Sequence, residues 1–142
     1  MIKKFLVFVS ALFLSANLYA NENSAKGLNV IVTSADNQTQ MMAMVLATMA
    51  KKAGKEVNIT LCSSAGDLAD KNMKSATLKP KDKSPKMLLN GLIKNGASVK
   101  VCPLYLPNAG KDTSVLMDGI SVAKPNEVAA SLLNKDFQNL SY

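Results

Sequence analysis

Residues 28–62 read LNVIVTSADNQTQMMAMVLATMAKKAGKEVNITLC, and the periodicity of this stretch decides the fold. Leu28-Asn29-Val30-Ile31-Val32-Thr33 is short and rich in β-branched residues, as a first strand should be. Ser34-Ala35-Asp36-Asn37 then supplies turn and N-cap chemistry. Met41, Met44, Val45, Thr48 and Met49 recur at helical spacing, Lys51 and Lys52 fall where the negative end of a helix attracts cations, and Gly54 is a stop. The spacing predicts a long helix over 39–53. Glu56-Val57-Asn58-Ile59-Thr60-Leu61 alternates as a second strand with Cys62 at its carboxyl end.

Downstream the alternation continues. Residues 63–70 form a loop that leads into a short helical turn. Residues 71–86 carry Lys71, Lys74, Lys79, Lys81, Lys83 and Lys86 with Pro80 and Pro85, the composition of a mobile surface loop. Ser84-Pro85 reads as N-cap and first helical residue, and Met87, Leu88, Leu89, Leu92 and Ile93 make a buried face up to Gly96. Val99-Lys100-Val101 is a third strand that stops at Cys102-Pro103, and Pro103 and Pro107 frame a loop to Gly110. A short helix over 112–117, a strand over 119–122, a helix over 126–133 and a fifth strand over 137–142 complete the chain. Strands alternating with helices imply one α/β domain over 28–142, a three-layer α/β/α arrangement around a mainly parallel sheet of about five strands with right-handed crossovers.

Upstream, Lys3 and Lys4 precede the apolar run 5–14, and small and polar residues lead to Ala20. This is a secretory signal with cleavage expected after Ala20, followed by a polar, flexible leader over 21–27. The apolar run falls short of the roughly twenty residues of a bilayer span, so no membrane anchor is expected after cleavage. Loss of Lys3 and Lys4 lowers the net charge from +7 to +5.

Composition narrows the chemistry. The chain has no histidine, which excludes Ser-His-Asp and Cys-His catalysis and histidine-held zinc or iron. Its two cysteines, Cys62 and Cys102, cannot alone complete a zinc or iron–sulfur site. No arginine is present to read phosphates or bases, and with export added no nucleic-acid partner is expected. There is no Gly-x-Gly-x-x-Gly or Walker-type loop after the first strand. Met41, Met42, Met44 and Met49 crowd one helix, but Met41, Met44 and Met49 are better explained as core filling than as soft ligands for Cu(I), and neither a metal nor a cofactor is expected. A thiol is the best reagent available.

Ligands of open parallel sheets bind beyond the carboxyl ends of the strands. Three loops converge there, 33–37, 62–67 and 102–110, so both cysteines lie on the functional rim. Cys102, where a strand gives way to loop and helix, could be activated by backbone amides or by a lysine such as Lys111. A buried structural cysteine accounts for the same position equally well. If the second and third strands are neighbours, Cys62 and Cys102 come within disulfide range; if another strand separates them, a bond needs loop movement. An exported protein would favour the bond.

From Leu28 to Tyr142 the chain resembles the DsrE/DsrF-like family of sulfur-relay proteins. The resemblance rests on Thr33-Ser34-Ala35-Asp36 before a helix closed by Gly54, and on Gly66-Asp67-Leu68-Ala69-Asp70-Lys71 ahead of a lysine-rich loop. Its more specific part is Val101-Cys102-Pro103 followed by Gly110 and Leu116-Met117-Asp118-Gly119-Ile120. The resemblance implies a three-layer fold, homo- or hetero-oligomeric assembly, and a persulfide-carrying cysteine at Cys102. Thr33, Asp36, Cys62, Asn108 and Gly110 would shape the binding pocket around it. Exported relatives often have Cys-Pro-x-Cys here, whereas this chain places Tyr105 where the second thiol would stand, leaving Cys62 as the available resolving thiol. Signal and resemblance together imply a periplasmic protein whose partners are sulfur donors and acceptors or small sulfane-sulfur compounds. The alternative is a non-catalytic binding module with a static Cys62–Cys102 disulfide.

Overall fold

The computed structural model describes residues 24–142, so the signal over 1–20 and the start of the leader lie outside the described residues. Strand β1 (Gly27–Val32) pairs in parallel with β2 (Glu56–Leu61) over its whole length, Gly27 opposite Glu56 and Val32 opposite Leu61. Strand β3 (Ser98–Val101) continues the sheet on β2, and β4 (Ile120–Val122) follows on β3. Strand β5 (Phe137–Ser141) returns to the other side of β1, giving the all-parallel order β4-β3-β2-β1-β5. The chain steps outward from β1 to β4 and then crosses back. With right-handed crossovers, that reversal sends its connecting helix to the opposite face.

Helix α1 (Asn37–Lys52) starts where the Asp36 carboxylate accepts from the Thr39 amide at 2.8 Å. Helix α2 (Pro85–Lys94) starts at Ser84, whose hydroxyl accepts from the Met87 amide, with Pro85 in the first turn. Both pack on one sheet face, where Val30, Val32, Ile59, Leu61, Val99 and Val101 meet Met44, Ala47, Leu89 and Leu92 in one buried core. Alternation turns Asn29 and Asn58 to the other face, under α4 (Pro125–Leu132). There the Asn29 amide donates to the Ser131 carbonyl at 2.8 Å and the Asn58 amide donates to Asn29 at 3.0 Å. This second layer is thin and polar, and α4 buries none of its residues fully. A helical turn, α3 (Tyr105–Asn108), occupies part of what the prolines made look like plain loop.

Three expectations shift. The buried stripe of α1 is Gln40, Ala43, Met44 and Ala47, rotated from the predicted set, and Met49 is 49% exposed. Small alanines face the sheet because they let the helix approach closely, which a search for large apolar residues overlooks. The leader is tied down from Ser24 onward: the Lys55 ammonium donates to the Ser24 hydroxyl, Lys26 pairs with Asp136 at 2.7 Å, and Gly27 is already strand. The lysine-rich segment also has structure, with an antiparallel bridge between Leu78 and Lys83.

The rotation of α1 predicts unequal costs for two adjacent kinds of methionine. Met44→Ala, at a fully buried position, should destabilise by about 2–5 kcal/mol in urea titration, the usual range for core truncation. Met42→Ala, at a position 52% exposed, should stay within about 0.5 kcal/mol.

Candidate functional site

Leu61 and Val101 are register partners at the ends of β2 and β3, and the Cys102 amide extends the ladder by donating to the Leu61 carbonyl at 2.8 Å. Cys62 and Cys102 therefore follow paired residues on neighbouring strands, whose usual spacing of about 4.8 Å falls within the Cα range of a disulfide. Both are free thiols and half-buried. The Cys62 backbone is extended, and Ser63 then enters the left-handed region at φ 51°, turning the chain sharply off the strand end. Burial, reinforced by the adjacent Cys102 side chain, pushes the Cys62 thiol up to about 11.

Around the thiols lies an open cleft of about 610 Å³, lined by Cys62, Ser63, Ser64, Asp67, Cys102, Leu104, Tyr105, Asn108 and Ala109. Its wall is built by the contact of α3 with the 3₁₀ turn Ser63–Leu68. The Tyr105 phenol donates to Asp67 Oδ1 at 2.7 Å, and its ring lies flat on Gly66. A Cβ at Gly66 would come within 2.2 Å of a ring carbon, so only glycine fits beneath this tyrosine. Burial and the hydrogen bond to Asp67 raise the phenol, which stays a proton donor.

Lys111 closes the back of this wall. Its ammonium is 2.7 Å from Asp70 Oδ2 and 3.1 Å from the Tyr105 hydroxyl, with Asp67 Oδ1 at 3.9 Å. Asp70 is 2% exposed, and its carboxylate also accepts from the Asn72 amide at 2.8 Å. Burial raises the Asp70 carboxyl, but the Lys111 ammonium and the Asn72 amide together outweigh it and hold the group below its ordinary value. The Lys86 ammonium binds the Asp70 and Met73 carbonyls, stitching the start of the lysine-rich segment to α2. Lys111, one of the candidates for activating Cys102, is thus committed to a buried carboxylate, which would be costly to leave unpaired.

The structure brings Cys62, Cys102 and Asn108 to one cleft. Asn108 lines it from α3, where its side-chain amide donates to the Leu104 carbonyl at 2.7 Å. Thr33 and Asp36 stand on the neighbouring loop without lining it: Thr33 donates to the Tyr142 carbonyl, and Asp36 caps α1. Gly110 takes φ +64° just after α3, where the chain turns back toward Lys111. Asp67, Asp70 and Tyr105 are the residues that reading by motif did not assign. The one available signal was two aspartates bracketing the apolar pair Leu68-Ala69, which placed at least one of them toward the core.

No protein-family model and no curated protein matches this chain. Solved structures do. The chain is similar to the YchN protein of E. coli, with a TM-score of 0.66 and 20% identity, the match covering 82% of this chain and 99% of that one. It is also similar to MTH1491 of Methanobacterium thermoautotrophicum, a protein described as of unknown function, with a TM-score of 0.60, 11% identity and the same coverage of 82% and 99%. At these identities the likeness is one of fold, a DsrE/YchN-like parallel α/β sheet.

Two measurements probe the cleft. The depressed Asp70 carboxyl contributes stability that is complete above the unfolded value of 3.8 and is lost as pH falls through the folded value. Lys111→Met removes the main opposition to burial, so the folded value rises toward or above 3.8; the variant should be less stable at neutral pH, and its Asp70-linked acid loss should shrink or reverse, read as urea midpoints from about pH 3 to 8. For Cys62, alkylation followed by peptide mapping should be slow at neutral pH and accelerate only as pH approaches about 11.

Proposed function

We propose that this chain handles sulfane sulfur, with Cys102 as the accepting thiol and Cys62 as its restrained neighbour. The observation that carries the reading is the placement of both cysteines side by side in one open cleft, with Cys62 kept protonated by burial. The Cys102 thiolate attacks the outer sulfur of a donor persulfide. A bond forms between Cys102 Sγ and that sulfur, the donor sulfur–sulfur bond breaks, and the donor leaves as its thiolate. In onward transfer an acceptor thiolate attacks the same outer sulfur and returns Cys102 as thiolate. No net oxidant or reductant is consumed.

The same geometry offers a discharge route. If Cys62 attacked Cys102 Sγ, hydrosulfide would leave and a Cys62–Cys102 disulfide would form, to be reopened by an external thiol. Burial keeps the Cys62 thiolate scarce at neutral pH, which slows this discharge relative to onward transfer. The proposal takes 1–20 as a removed signal and the periplasm as the working compartment. It takes small sulfane-sulfur compounds or thiol proteins as donors and acceptors, and an assembly of like or related subunits as the working form. A static Cys62–Cys102 disulfide in a non-catalytic binding module is the rival reading, favoured by the same strand adjacency.

Intact-mass analysis of the protein isolated from its own compartment decides between them, with and without reductant and after exposure to polysulfide. A reducible gain of one sulfur atom, absent in Cys102→Ser and longer-lived in Cys62→Ser, is the expected result. A mass two hydrogens light that ignores polysulfide would replace the carrier with the disulfide-closed module.

A further inference from the structure

Helix α1 carries no charged residue from Asn37 to Ala50, although one of its faces is open to solvent. Met42, Leu46 and Met49 are exposed at 52, 38 and 49%, and Met87 of α2 at 47%. Surface helices normally place charge on such a face. Beside it, α1, α2 and the 78–83 turn enclose two adjoining hollows of about 320 and 390 Å³ that share Thr48, Lys83 and Leu88. The floor of the first is Met41, Val45, Met49, Leu78 and Leu88. Methionine is flexible and polarizable, and it suits surfaces that must accommodate another chain.

The rim is cationic. Lys51 and Lys52 stand at one end, and Lys79, Lys81 and Lys83 along the turn. The turn holds a single acid, Asp82, which pairs with Lys79 at 2.8 Å. Among the described residues Lys52, Lys81 and Lys83 are in no ion pair. An apolar floor with a one-signed rim defines its complement.

We propose that this groove receives an amphipathic, acidic helix of a partner protein. The helix would lay its apolar stripe on the methionines and its carboxylates against the lysine rim, as helix-in-groove recognition does. A second copy of this chain fits poorly, because a two-fold contact through this face would bring together two lysine rims of the same sign. The apolar segment 5–14 fits poorly as well, since Lys3 and Lys4 beside it repeat the sign of the rim. A flat lipid surface would not reach Met41 and Val45 at the groove floor. The inference is independent of Cys102.

The test uses a fluorescent synthetic helix of about eighteen residues, close to α1 in length, with leucine on one face and glutamate elsewhere. Anisotropy titration of the purified protein should show binding that a scrambled peptide of the same composition lacks by about tenfold or more. The double variants Met49→Glu/Met87→Glu and Lys81→Glu/Lys83→Glu should each weaken binding about tenfold, and added salt should weaken it further, while Cys102→Ser leaves it unchanged. Equal binding of the scrambled peptide, indifference to both double variants, or no binding at about 1 mM would overturn the proposal. Binding to anionic phospholipid vesicles in place of the peptide would overturn it in favour of a membrane. A wild-type dimer in sedimentation that Met49→Glu/Met87→Glu dissolves would overturn it in favour of self-association.

Discussion

The parallel pairing of β2 with β3 sets Leu61 beside Val101, and the placement of both thiols follows from that register. Both residues are fully buried, so a slip by one position would turn the apolar side chains of β3 out of the core. The same register that satisfies the core delivers Cys62 and Cys102 to adjacent strand ends. Neither thiol needs a dedicated device to find the other. A left-handed residue at Ser63 and a proline at Pro103 then lead both chains away from the sheet, leaving the sulfurs at an open edge.

What keeps that edge in shape is a polar cluster. Asp70 is buried, and burying a carboxylate is tolerable only because the Lys111 ammonium and the Asn72 amide meet it. Lys111 arrives from the loop after β3, so the ion pair binds the two cysteine-bearing loops together. Backbone bonds add to the same seam: Lys71 donates to the Val115 carbonyl, Met117 donates to the Ala69 carbonyl, and Asp70 bridges Leu116. Tyr105 sits at the junction, its hydroxyl shared by Asp67 and Lys111 and its ring seated on Gly66. The tyrosine thus stands in the cleft wall three residues after Cys102. The thiol that stands beside Cys102 is Cys62, a neighbour in space rather than in sequence.

The two faces of the molecule differ in kind. One layer, formed by α1 and α2, supplies nearly all of the apolar core. The opposite layer rests on Asn29, Asn58, Ser131 and Asn139, whose amides and hydroxyl satisfy one another beneath a short helix. Parallel sheets are usually apolar on both faces. Here the polar face is stabilised by a closed set of hydrogen bonds, which adds little net stability but specifies where α4 must lie. The apolar surface in excess of the core's needs appears on the outer side of α1.

Sequence alone determined the order and type of the elements, because strand and helix periodicities, the Asp36 and Ser84 caps and the stops at Gly54 and Gly96 are local signals. It also determined that thiols at strand ends are the reagents present, since histidine is missing. The side of α1 that faces the sheet was legible only at Met44, because Ala43 and Ala47 pack there for their smallness and leave Met42 and Met49 outside. Nor was the commitment of Lys111 to Asp70, or the seat of Tyr105 on Gly66, since each joins residues 38–41 positions apart with no local pattern to announce it. Whether Cys62 and Cys102 are neighbours depended on strand order, which no periodicity encodes. Strand order is settled by which crossovers can bury both α1 and α2 on one face at once, a property of the folded whole.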